Sequence, residues 1–176
     1  MAQIAQVGNQ TTMSTNKTQT IQRYNNSQNE AFAEVLVKIV EGFQKERDTM
    51  SERLKKELYP CLKKVEQLND AQIIALSIYQ ECIEEAAKLR SKHSEMSMQF
   101  QKNIQDGIVF YTTGFALGLK TNSEKQQWAE VDNANLKRIL DEIQSQIRFY
   151  EDTLTNIKSF NYAIKNKLEI AVNELV

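Results

Sequence analysis

Apolar residues recur along most of the chain at steps of three and four positions, which is the period of an amphipathic α-helix. The first such run begins near Asn29 and extends to Leu68, with Pro60 inside it. A proline removes one backbone donor and clashes with the preceding helical turn. The pattern therefore predicts a first helix over about 29–68, either with a kink at Pro60 or with an end near Leu58 and a restart at Pro60.

Two further runs have the same period. The second predicts a helix over about 70–112 and has a wide apolar face at its start, which is typical of a helix with more than one neighbour. The residues that widen this face are Ile74, Leu76, Tyr79 and Ile83. The third run predicts a helix over about 123–175, where Ser123 and Gln126 have the spacing of a capping box.

The residues that interrupt helices are scarce. Five glycines and one proline occur among 176 residues, and both residue types destabilise helix interiors. We find neither strand-length alternation nor a hairpin signal between the helical runs. The sequence therefore predicts an all-α fold, whose simplest topology is an elongated antiparallel three-helix bundle or coiled coil.

The first 27 residues lack the helical period. Sixteen of them are Gln, Asn, Ser or Thr, and only Lys17 and Arg23 are charged. Such a segment buries too little apolar surface to offset the entropy lost on ordering. We therefore expect a disordered polar arm over 1–27, which either stays disordered or orders along a partner, and a single helical domain over 28–176.

The third helix has the most regular apolar pattern and supplies the predicted seam for self-association. Asn161 lies where the period requires an apolar residue, and a buried Asn at such a position often fixes register and oligomeric state. Alternatively, Phe160 or Tyr162 occupies the core position and Asn161 lies at its edge. The predicted seam consists of Tyr150, Leu154, Ile157, Asn161, Ile164 and Leu168.

The stretch Gly107–Leu119 is uncharged, aromatic and next to the predicted turn between the second and third helices. A turn is normally polar and exposed. The stretch is therefore covered by the rest of the chain, binds a protein partner or inserts shallowly into a membrane. The predicted external contacts are Phe110, Tyr111, Phe115 and Leu117.

The strongest local basic cluster surrounds Pro60 and contains one acid, Glu57. It is either an ordinary solvated face or a contact for the phosphate of a lipid headgroup or a nucleic acid. The formal net charge of −1 provides no global field that recruits either ligand. The candidate phosphate contacts are Arg53, Lys55, Lys56, Lys63 and Lys64.

Residues suited to catalysis or metal binding are few. His93 is the single histidine, and the Glu-x-x-His pattern of di-iron bundles would need a Glu in place of Arg90. Cys61 and Cys82 form neither a disulfide framework nor a zinc motif. We expect no enzymatic activity, no cofactor, no metal and no small-molecule substrate. With reduced cysteines, no signal peptide and no transmembrane segment, a cytoplasmic location is expected.

Two family resemblances add alternatives. The three long helices with a basic bend, over residues 29–176, resemble the BAR-type membrane-shaping modules, which implies peripheral membrane binding. The pairs Ile157-Lys158 and Ile164-Lys165, with Tyr111 upstream, distantly resemble the phage recombination mediator family. That resemblance implies a helical oligomer that binds single-stranded DNA.

Taken together, the patterns predict a non-enzymatic structural or adaptor protein. We expect it to form a homo-oligomer and to bind protein partners through coiled-coil seams. The peripheral membrane module and the single-stranded nucleic-acid-binding mediator stay open as alternatives.

Overall fold

The computed structural model describes residues 32–113 and 121–173. Helix accounts for 96% of the described residues, and no strand occurs among them. The prediction of an all-α fold is confirmed. The predicted polar arm over 1–27 lies outside the described residues, as do Phe115 and Leu117.

The first helix, α1, spans residues 32–53 and continues into a π-helical segment over Leu54–Leu58. Met50 and Leu58 are both buried and lie eight positions apart. Eight residues overshoot two α-helical turns by about 0.8 of a residue. The wider π turn takes up this excess, and so Leu58 reaches the same buried face as Met50.

The first helical run ends earlier than predicted. After the π-helical segment, a short helix α2 spans Tyr59–Cys61 and contains Pro60 in its first turn, where a missing N–H costs least. The chain then leaves the helical path and forms a 3₁₀ turn over Val65–Gln67. The prediction of one helix continuing to residue 68 was therefore wrong.

Helix α3 spans Leu68–Thr113 and agrees with the predicted second helix. The next helix, α4, spans Asn122–Asp132 and begins with a capping box formed by Thr121 and Glu124. The Glu124 N–H donates to the Thr121 hydroxyl at 3.2 Å, and the Thr121 N–H donates to the Glu124 carboxylate at 3.0 Å. The capping box thus lies two residues before the predicted one.

The predicted third helix is divided at Asn133 into α4 and a longer helix, α5, over Ala134–Asn173. The Asn133 side-chain amide donates to the Ala129 carbonyl at 2.9 Å, and its oxygen accepts from Asn103 at 3.0 Å. Such side-chain bonds compete with continuation of a helix. The prediction of one unbroken helix was wrong, because the spacing of apolar residues carries no information about side-chain hydrogen bonds such as those of Asn133.

Side-chain contacts between the long helices define the directions in which they run. Late residues of α3 meet early residues of α5, as in the pair Asn103–Asn133, while Arg90 meets Glu151 at 2.6 Å. These two helices are therefore antiparallel. Helix α1 runs in the same direction as α5, because Arg47 contacts Gln146 and, farther along both segments, the Leu62 carbonyl accepts from Lys167.

Two clusters of apolar side chains hold these helices together. In the first, small residues of α3 admit the larger side chains of α5 at close range; the buried α3 members are Leu68, Ala71, Ala75, Ile78, Cys82 and Ala86. In the second, Ile139, Ile143 and Ile147 of α5 pack against aromatic and aliphatic residues of α1 and against Leu89 and Met96 of α3. Each fully buried Ile stabilises the fold by about 1.5–3 kcal/mol.

Two glycines give a matched test of the contact between α3 and α4. A methyl group at Gly107 would lie 2.8 Å from the Ala129 Cβ, whereas one at Gly42 on α1 meets nothing within 4 Å. Gly42→Ala should raise the free energy of unfolding by about 1 kcal/mol through helix propensity. Gly107→Ala should lower it by about 1–2 kcal/mol through overpacking. Urea unfolding followed by circular dichroism measures both, and equal stabilisation would contradict the contact.

Candidate interaction surfaces

The structure places the predicted self-association seam inside the chain's own core. Tyr150, Ile157 and Ile164 are at most 4% exposed, and Leu154 and Leu168 pack against the same cluster. They contact α3 of the same chain. A second molecule would therefore reach Tyr150, Ile157 and Ile164 only if the helices separated or exchanged.

A polar layer crosses the contact between α1 and α5. Gln146 is fully buried, accepts a hydrogen bond from Arg47 Nε at 2.7 Å and donates to Glu46 at 3.1 Å. The Tyr150 hydroxyl donates to the same Glu46 carboxylate at 3.1 Å. Arg47 also lies over the ring of Phe149, 5.8 Å from its centroid. These bonds form at one relative position of the two helices and so fix their register.

The environment of this layer keeps Tyr150 protonated. Burial raises the pKa of the Tyr150 hydroxyl to about 12; the interaction with Gln146 opposes the rise, and the charge of Glu46 adds to it. The hydroxyl therefore acts as a hydrogen-bond donor at neutral pH. The apolar pattern gave no indication of Gln146, which occupies a core position without being apolar.

Helix α3 presents an apolar stripe to solvent on the side away from its buried face. Ile73 is 67% exposed, Leu76 52% and Ile83 37%. Their spacing of three and seven positions places them along one face of the helix. We call these three residues the α3 stripe. Of the set predicted to widen the apolar face, Ile74 and Tyr79 pack against the core, whereas Leu76 and Ile83 stay exposed.

A cleft of about 400 Å³ lies between the start of α3 and the last third of α5. We call it the α3–α5 cleft; its lining residues are Gln72, Lys158, Asn161, Tyr162, Ile164, Lys165 and Leu168. The Asn161 side-chain oxygen is buried and has no hydrogen-bond partner within the described part of the chain. Tyr162 is 72% exposed, and Phe160 packs against the core. This agrees with the alternative in which Phe160 takes the core position and Asn161 lies at its edge.

The basic cluster around Pro60 is partly neutralised by neighbouring acids. The Arg53 guanidinium donates to Glu81 and lies 3.8 Å from Glu57. Lys56 meets Glu52 at 2.7 Å. The other three candidate phosphate contacts are exposed: Lys55, Lys63 and Lys64. The five cations therefore do not form one uniformly positive surface.

In the predicted external contact at the end of α3, the structure buries one residue and leaves its neighbour exposed. Tyr111 is 5% exposed, and its hydroxyl donates to Asp132 of α4. It closes the contact between α3 and α4 and is not part of an external surface, because its ring is covered. Phe110, the adjacent residue, is 42% exposed.

The described residues contain no group of three or more His, Cys, Asp and Glu side chains placed to hold a metal ion. Cys82 is buried, and burial raises the pKa of its thiol to about 11. Its thiol is therefore protonated at neutral pH and a poor nucleophile. In the ranges that the structure covers, no helix combines the length and apolar character that crossing a bilayer requires.

The sequence matches no protein-family model, and no curated protein or solved structure matches it.

The polar layer should contribute measurably to stability. Gln146→Ala removes the central amide and leaves Arg47 and Glu46 without their buried partner, so we expect the free energy of unfolding to fall by about 2–3 kcal/mol. Ser145→Ala is the matched control, because Ser145 accepts only an exposed bond from Arg47. It should change stability by at most about 0.5 kcal/mol. Equal losses in chemical denaturation would contradict a buried network.

The raised pKa of Tyr150 predicts a loss of stability in alkali. The unfolded chain releases the phenolic proton near the ordinary pKa of 10.0, whereas the folded chain holds it to about 12. The stability that Tyr150 contributes is therefore complete below the unfolded pKa and is lost as the pH rises through the folded pKa. Over this interval the wild type should lose stability more steeply than Tyr150→Phe. Denaturation at a series of alkaline pH values measures both slopes, and equal slopes would exclude a buried hydroxyl.

Proposed function

We propose that the protein is a non-enzymatic adaptor that associates with itself and with protein partners through exposed apolar positions of its helices. The observation that supports this function is the α3 stripe. Ile73, Leu76 and Ile83 are large apolar residues that the chain's own core leaves uncovered. Grouped apolar residues on a surface are typical of protein–protein contacts.

The proposal includes the finer architecture. We infer that the three long helical segments form one elongated three-helix bundle with coiled-coil packing. The antiparallel pairing of α3 with α5 supports this inference, as does the contact of α1 with residues of both clusters. In such a bundle the inner stripes are covered within the molecule. The α3 stripe then supplies an outer surface for assembly, in place of the buried α5 seam.

Light scattering after size exclusion tests the self-association. We expect the full-length chain to have a small whole-number multiple of the monomer mass of 20.3 kDa. Leu76→Arg combined with Ile83→Arg should return it to the monomer, because two charges would have to be buried in the contact. Circular dichroism should show unchanged helix content, since both positions are exposed in the monomer.

Met98→Arg combined with Val109→Arg is the matched control. These residues are 64% and 59% exposed on the same helix and lie outside the α3 stripe. The control should keep the oligomeric mass. A monomeric wild type would refute self-association, and an oligomer that survives the stripe substitutions would move the contact to another surface.

A further inference from the structure

The α3–α5 cleft has a positive character. Lys158 and Lys165 both line it, and none of its described lining residues is acidic. Lys165 has one ion-pair contact, with Glu169 at 3.8 Å, which is exposed and therefore weak. The two lysines are seven positions apart, so they lie on one side of α5 at a separation of about 10 Å.

The cleft also has an unmet hydrogen-bonding requirement and an apolar rim. The buried Asn161 oxygen lacks a donor among the described residues, and buried polar atoms in proteins are usually bonded. Tyr162 presents a ring that is 72% exposed, and Leu168 is half-buried beside it. An occupant that supplied a donor, apolar side chains and negative charge would therefore complement every part of this surface.

The charges decide between the available occupants. The chain's own first 29 residues carry Lys17 and Arg23 and no acid, so they would meet the cleft with like charge. A second copy placed cleft against cleft would bring the same two lysines to the contact. Like charges across an interface disfavour association. The complementary occupant is therefore an acidic segment of a different protein.

Building on the partner-binding function proposed above, we propose that the α3–α5 cleft binds an acidic amphipathic helix of another protein. A helix lies naturally in the groove between two helices and presents its apolar face to the groove. Its apolar residues contact Tyr162 and Leu168, and one hydroxyl or N–H group donates to Asn161. Two carboxylates seven positions apart meet Lys158 and Lys165, because the same helical rise separates both pairs.

A displayed peptide library tests the charge and the spacing together. The probe is a set of peptides of about 20 residues, long enough for five helical turns. Leucine is fixed at the core heptad positions, and the flanking positions are randomised among Glu, Gln and Lys. Selection on the full-length wild-type protein should enrich Glu pairs seven positions apart. Selection on the variant protein that combines Lys158→Glu with Lys165→Glu should enrich peptides with Lys at these positions instead.

Lys92→Glu combined with Lys102→Glu is the matched control, because it makes the same charge change at exposed positions of α3 outside the cleft. It should keep the Glu preference. Asn161→Leu should weaken the best acidic peptide by about ten-fold while raising the thermal unfolding temperature, since it removes an unsatisfied buried acceptor. A purely structural role for Asn161 would leave peptide affinity unchanged and would remove this residue from the site.

Other outcomes would overturn the inference. Enrichment without a charge preference would reject an acidic ligand but would leave partner binding by the protein intact. Binding of acidic peptides that persists after charge reversal of both cleft lysines would place the contact elsewhere. Binding that disappears in the α3 stripe variant would do the same. Displacement of the peptides by an excess of the variant that combines Lys158→Glu with Lys165→Glu, whose own cleft cannot bind them, would assign the cleft to a second copy. Absence of any enriched peptide would reject the cleft as a binding site.

Discussion

Burial of one side of α5 is the interaction on which the rest of the fold depends. Its isoleucines contribute to both apolar clusters, and each cluster also contains residues of α1 and of α3. Because these contacts are far apart in sequence, neither α1 nor α3 has a complete core without α5. Small residues on α3 strengthen the arrangement, since they allow the two helix axes to approach closely. The predicted α5 seam, which has the most regular apolar pattern in the sequence, is thus buried within the folded chain. Assembly therefore requires a different surface.

The polar layer complements this apolar packing. Apolar contacts between helices tolerate sliding by a turn, because the period repeats. The bonds among Arg47, Glu46, Gln146 and Tyr150 do not repeat and so exclude the shifted arrangements. A buried polar group of this kind adds specificity at some cost in stability. The layer therefore determines which α1 residues stay outside, and through them the exposed surface of the molecule.

The periodicity of apolar residues predicted the helical class and the extent of α3, because a buried helix face requires apolar residues every three or four positions. It failed at Asn133 and after Pro60, where single side chains or a missing N–H decide the backbone path. It also could not assign partners: the same stripe of α5 fits a contact within the chain or between chains. Periodicity also gave no indication that Lys158, Tyr162 and Lys165 line one cleft, because that cleft exists only where α3 lies beside α5.

The π-helical segment before Pro60 has a consequence for how sequences with this fold can change length. The wide π turn accommodates one extra residue between Met50 and Leu58. Leu58 therefore stays on the same buried face as Met50. Loss of a single residue there would convert the π turn into an ordinary α turn, because seven residues lie within about 0.2 of a residue of two α-helical turns, and Leu58 would keep its facing. Related sequences are therefore expected to tolerate deletion of one residue in this segment better than deletion of one residue elsewhere in α1.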